Sequence, residues 1–145
     1  MKRTLCILLS LILILSLLAG CGGAKPTVKT VSGTYHLKSL NGRPPRDVLL
    51  EQIRSEEEMA AWLQMLGISM DDLGSLITLS LNENGTCRAS EFGQTGSGTW
   101  TLEGSTVRFS MGGRTLTASW ADGVLTVKAP ENDGSGIEMM ELQKD

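Results

Sequence analysis

From residue 76 to residue 143 the chain repeats one device, a short alternation of apolar and polar residues closed by a glycine-containing turn. The runs are 76–82, 85–92, 98–103, Thr106–Met111, Arg114–Ala121, 124–129 and 136–143. The punctuation between them is Asn84-Gly85, Gly96, Gly104-Ser105, Gly112-Gly113, Asp122-Gly123 and Asp133-Gly134. Runs this short, joined by turns this tight, read as consecutive antiparallel hairpins, because a parallel crossover needs a dozen or more residues. An earlier alternating run, Gly33–Leu40, ends on Asn41-Gly42 and brings the predicted strands to eight.

Parity says how the strands assemble. Trp100 and Leu102 alternate with Thr99, Thr101 and Glu103; Val107, Phe109 and Met111 alternate with Thr106, Arg108 and Ser110; Leu116, Ala118 and Trp120 alternate with Thr115, Thr117 and Ser119. One face is apolar and the other threonine-rich, as a sheet with a single buried face requires. Such a sheet curls over its own core, and eight meandering strands do so by closing, which also removes the exposed edges. The predicted fold is therefore mainly β, an eight-stranded antiparallel up-and-down barrel whose interior holds packed side chains or one small ligand. In the last run, Ile137 with Met139 and Met140 with Leu142 support opposite parities, which predicts a bulge or burial on both faces.

Residues 44–76 interrupt the β pattern and predict a helical insertion between strands 1 and 2. Pro45 suits a first helical turn, and Asp47 suits the positive end of the helix dipole. Leu49, Leu50 and Ile53 form one apolar stripe; Met59, Trp62, Leu63 and Leu66 form another, roughly 120° round the axis at 100° per residue. A break relieves that mismatch, and Ser55 with Glu58 supplies a capping box there. Gly67 closes the second helix and Ser69-Met-Asp-Asp72 starts a third short turn, so two or three pieces are expected.

At the N-terminus, Lys2 and Arg3 precede an apolar stretch from Leu5 to Leu18. Its 14 residues fall short of the roughly 20 of a spanning helix and fit a secretory signal peptide. The quartet Leu18-Ala19-Gly20-Cys21 resembles the lipobox of bacterial lipoproteins, whose cysteine takes a diacylglyceryl thioether and becomes the mature N-terminus. The resemblance implies a signal peptide over 1–20, lipid on Cys21, a lipidated and flexible tether over 21–31, and one barrel domain over 32–145. The expected location is extracytoplasmic, held to the bacterial cell membrane by acyl chains such as palmitate. Each buried methylene contributes about 0.8 kcal/mol to such an anchor. Cleavage would leave 125 of the 145 residues, enough for one domain and not two, and would move the net charge from −3 to −5. An acidic domain lacks the basic stripe that nucleic-acid binding needs.

The segments Gly33–Leu40, Leu81-Asn-Glu-Asn-Gly85 and Gly98-Thr-Trp-Thr-Leu-Glu-Gly104 resemble the lipocalin-like (calycin-type) lipoproteins of Firmicutes, over residues 33–143. That resemblance implies the same order of elements, a first strand, a helical segment and a seven-strand meander, in a barrel without an implied activity. A second resemblance is to the META domain of envelope heat-shock lipoproteins, through the Gly-aromatic-Leu strand and the Asn-Gly turn. The Gly-Cys-Asn motif expected there is absent, since this chain has Phe92-Gly-Gln-Thr95, and the helical insertion is foreign to that domain.

Neither a nucleophile–base–orienter set nor a phosphate-cradling loop is evident, so the chain is read as no enzyme and no cofactor is expected. Cys87, the thiol left once Cys6 is cleaved and Cys21 lipidated, reads as a small buried hydrophobe; a nucleophile would need His36, the single histidine, beside it. One histidine and one free cysteine make no ordinary zinc site, and Asn82-Glu83-Asn84-Gly85 and Glu131-Asn132-Asp133-Gly134 are too short for a calcium loop. Tyr35, Trp100, Phe109 and Trp120 are predicted on the inward face, with Trp62 on the second helix. They are either plain core or the lining of a ligand cavity with Trp62 in its lid.

Two functions follow. The first is a carrier, a membrane-anchored lipoprotein whose barrel holds a small apolar ligand or lipid. The second is an envelope interaction module, an inhibitor or assembly factor with a filled barrel. An interior cavity of about 300 Å³ or more favours the carrier; a filled barrel with an exposed apolar patch on the helices favours the protein partner. The domain is expected to be monomeric in either case.

Overall fold

Strand β1 (Gly33–Leu40) is hydrogen-bonded on both sides, to β2 (Ile77–Leu81) and to β8 (Met139–Lys144), and this closes the sheet. Between them run β3 (Thr86–Glu91), β4 (Gln94–Glu103), β5 (Thr106–Met111), β6 (Arg114–Ala121) and β7 (Val124–Lys128), each antiparallel to the next. The architecture is the expected eight-stranded meander, seen in a computed structural model that describes residues 25–129 and 134–145. The signal-like stretch, Cys21 and the Glu131-Asn132-Asp133 part of the last turn lie outside the described residues.

The insertion lies between β1 and β2 and is broken where the two stripes diverge. Helix α2 (Pro45–Ile53) ends on Arg54 in the left-handed conformation (φ 67°), and α3 (Glu56–Met65) begins on Ser55, whose hydroxyl accepts the Glu58 N–H. Gly67 (φ 72°) closes α3 in a Schellman motif, with Ile68 N–H bonding Leu63 C=O and Gly67 N–H bonding Gln64 C=O. The third piece is a 3₁₀ turn, Leu73–Leu76. The helices bury Val48, Leu49, Met59 and Leu63, and α2 and the 3₁₀ turn pack on β1. Arg43 grips Glu51 through two hydrogen bonds (3.0 and 2.7 Å), and Arg46 pairs with Glu56, so the basic turn before α2 is tied into the insertion.

Three expectations need correction. Gly96 is not a turn: the β3–β4 hairpin closes at Phe92-Gly93 (φ 49° and 82°), and Gly96 lies inside β4 opposite Ala89. Two successive positive φ angles give the two-residue turn whose twist suits a hairpin, and a bulky phenylalanine concealed the first of them. The final strand starts at Met139 and not at Gly136, and the irregularity lies in its partner. Leu37 faces Leu142 and Ser39 faces Glu141, so β1 carries one extra residue, Lys38. Its Ser39 hydroxyl, now buried, donates to Glu141 (2.9 Å). Finally, the end of the expected tether is structured: α1 (Val28–Val31), capped by Thr27, buries Val31 completely.

Gly98 marks the tightest approach in the barrel. A Cβ there would sit 1.9 Å from the Ser110 carbonyl oxygen and 2.6 Å from Met111 Cγ, whereas one at Gly96 would meet nothing within 4 Å. Gly98→Ala is expected to destabilise by about 1–3 kcal/mol through overpacking, and Gly96→Ala to change stability by less than about 0.5 kcal/mol. Urea unfolding of the two variants measures the contrast.

Candidate functional site

The antiparallel meander gives the barrel two unlike ends. At one end lie α1 and the β2–β3, β4–β5 and β6–β7 turns; at the other lie α2, α3, the Phe92-Gly93 and Gly112-Gly113 turns and the segment 134–138. The first end is closed by hydrogen-bonded aromatics. Tyr35, fully buried, donates its hydroxyl to the Val31 carbonyl and accepts the Trp120 indole N–H (3.1 Å). Trp100 donates its indole N–H to Asn82 C=O (2.7 Å) and faces Phe109 across the β4–β5 pair. Lys144 reaches Thr30 C=O (2.8 Å), binding the last strand to α1. Among the described residues no buried side-chain nitrogen or oxygen lacks a partner.

The opposite end is an open cup. A cavity of about 250 Å³ is lined at its walls by Leu40, Ile77, Leu116, Val127 and Met140, with Ile137 and Phe92 at the rim. Arg114, Glu91 and Lys128 supply the charges on its lining. A second cavity of about 360 Å³ lies outside the barrel wall, between α2, α3 and the β3–β4 turn, lined by Leu49, Gln52, Ile53, Trp62 and Phe92. Phe92 belongs to both. Its ring meets Trp62 at a centroid distance of 5.9 Å and a tilt of 45°. Asn41 and Asp122 hold the same left-handed conformation in their own turns, where asparagine and aspartate are at ease. A phenylalanine there is strained by about 1–3 kcal/mol, which its contacts on both sides must offset.

The five aromatics singled out from the sequence therefore do not share one cavity. Tyr35 and Trp120 are joined at the closed end, Trp100 and Phe109 pack within the barrel core, and Trp62 stands apart on α3 against Phe92. The lining of the cup comes from residues not singled out, Phe92, Arg114, Leu116 and Met140. Inward parity at the strand tops was the available signal for three of them. Phe92 gave none, because it looked like a strand end.

Cys87 faces inward and is buried, which pushes its thiol pKa up, although a hydrogen bond with the Gly98 backbone partly offsets this. His36 alternates with inward Tyr35 and Leu37 and bonds Asp145 (3.1 Å) outside the barrel, so the two do not meet. Among the described residues no three His, Cys, Asp or Glu side chains gather as a metal site. Asn82-Glu83-Asn84-Gly85 is a hairpin turn, with Asn84 accepting from the Thr86 N–H (3.0 Å) and hydroxyl.

A DUF4847 family protein from Bacteroides vulgatus ATCC 8482, known from a crystal structure, superposes with a TM-score of 0.48 at 18% identity, over 79% of this chain and 94% of that one. No protein-family model matches the sequence, and no curated protein does. The closed barrel agrees with a lipocalin-like fold at the level of architecture.

Tyr35 also carries a raised pKa, because burial disfavours the phenolate more than the Trp120 hydrogen bond favours it. A raised folded-state pKa means that the fold prefers the protonated form. The stabilisation is complete below the unfolded value and is lost as pH climbs through the folded one. Stability should therefore fall above about pH 9, where thiols and then phenols ordinarily begin to ionise. Thermal melts across that range should show a shallower decline for Tyr35→Phe with Cys87→Ala than for the wild type.

Proposed function

We propose that this chain is a membrane-anchored extracytoplasmic lipoprotein that binds a small apolar ligand at the mouth of its barrel and not in its interior. The observation that carries the reading is Phe92, a bulky residue kept in an unfavourable backbone conformation where it walls both apolar cavities. Strain of this kind persists where a side chain is required at one place. Burial of Tyr35, Val107, Leu125 and Leu142 in the barrel interior supports the relocation. Anchoring through lipid on Cys21 fits the same picture. The first described residues enter at the closed end, and the six residue-to-residue steps from Cys21 to Thr27 reach at most about 22 Å. A lipid there would hold the mouth on the side away from its own membrane.

A second reading, an interaction module for an envelope protein, is favoured by the filled barrel and by the open groove of Leu49, Ile53 and Trp62. No catalytic role is proposed under either.

Two measurements test the proposal. Cys21→Ser should leave an unprocessed precursor without lipid label; label and membrane attachment that persist would refute the anchor. An apolar fluorescent probe should bind the wild type and alter Trp62 emission, identified by its loss in Trp62→Phe. Phe92→Asn, which suits the turn but removes the ring, should weaken uptake about tenfold with the melting temperature little changed. If the folded wild type takes up no probe, the interaction module becomes the better reading.

A further inference from the structure

The rim of the cup carries a charge pattern that an apolar ligand leaves unused. Arg114 opens β6 directly after the Gly112-Gly113 turn, with the inward parity of Leu116 and Ala118, and it lines the cavity. The ion pairs among the described residues engage His36, Arg43 and Arg46, and none engages Arg114. Lys128, the last residue of β7, borders the same cavity, and Glu91 at the end of β3 is the one carboxylate among the described residues of its lining. Among the described residues of the lining, two cations thus stand against one carboxylate.

A cation over an apolar cup selects for a molecule with the matching order of parts. The walls, Leu40, Ile77, Leu116, Val127 and Met140, offer burial to a hydrocarbon chain and no hydrogen bonds. The guanidinium offers a planar fork of donors suited to carboxylate, sulfate or phosphate oxygens, and it is free to turn toward them. We propose that the mouth takes a monomeric single-chain amphiphilic anion, its chain in the cup against Phe92 and its head on Arg114; this rests on the reading of the mouth as a ligand site. The head of an anionic lipid in a bilayer has the same chemistry. The monomer is favoured because a lipid at the closed end directs the mouth away from the anchoring membrane.

The test uses the full chain in phosphatidylcholine nanodiscs and titrates three probes below their micelle concentrations: decanoate, decanol and decyltrimethylammonium, with empty nanodiscs as the blank. Decanoate should bind about tenfold more tightly than the other two, as one charge-assisted pair implies. Arg114→Gln should remove that advantage and leave decanol unchanged, while Arg108→Gln, on the outward face of β5, should change neither. Decanoate binding no better than decanol, or a loss in Arg114→Gln shared equally by both, would overturn the anionic-head assignment while leaving the apolar site intact. Binding of none of the three would defeat the mouth site itself. Displacement of decanoate from the wild type by phosphatidylglycerol vesicles would overturn the monomeric ligand in favour of a bilayer headgroup; no displacement is expected.

Discussion

Because β1 must serve two neighbours, its geometry sets that of everything around it. Its first half pairs with β2, from Gly33 to His36, whereas its pairing with β8 runs from Tyr35 to Leu40. Beyond His36 the edge toward β2 would stand open, a hazard for any sheet. The insertion occupies that corner: the 3₁₀ turn and α2 pack on β1, and Leu40, Val48, Leu49 and Leu76 are buried together. The extra residue at Lys38 belongs to the same solution, since a bulge increases local twist and helps a strand leave one partner while keeping the other. The helices are thus part of how the barrel closes, and their place beside the mouth follows from it.

The two ends then divide the chemistry. At the closed end every polar atom of the aromatics is used: the Tyr35 hydroxyl both donates and accepts, and both indole N–H groups of Trp100 and Trp120 find oxygens. Buried polar groups with all partners present rigidify a core, and the Lys144 contact to Thr30 extends that rigidity to the chain terminus. At the open end the balance reverses. Some apolar side chains are left partly exposed, Arg114 forms no ion pair among the described residues, and a strained phenylalanine sits where asparagine would cost less. Such local inconsistencies are what binding sites retain.

The barrel was legible in the sequence because its signal is periodic and repeated. Strands β5 and β6 were delimited to the residue by alternation and by Gly112-Gly113, and the break at Arg54-Ser55 by two stripes that one helix cannot bury. What escaped was set by single residues out of type. Phe92 in a left-handed turn displaced the β3–β4 hairpin from Gly96, and α1 lay hidden in a segment whose Gly, Pro and Thr content suggested only a tether. Parity located the inward face but not which part of it is filled, and the large aromatics that drew attention are those that fill it. An open cup is lined by what remains, buried Leu40, Ile77 and Val127, half-buried Leu116 and Met140 and an arginine, and these carry no distinctive local pattern.

That distribution also bears on where the proposed ligand site can vary. Hollowing the lower barrel means truncating Tyr35, Trp100 or Trp120, and each such loss costs about 3–5 kcal/mol. A domain of this size has a total stability of about 5–15 kcal/mol, so even two such changes would threaten the fold. At the mouth, Leu116, Met140 and Phe92 are half-buried, and Arg114 and Phe92 lie in or beside two-residue turns, Phe92 also touching α3 through Trp62. On the proposed reading, exchanging them alters size and charge selection and leaves the aromatics of the barrel core in place. On that reading, variation in ligand is therefore confined by energetics to the helix-flanked end, with the buried barrel core as its support.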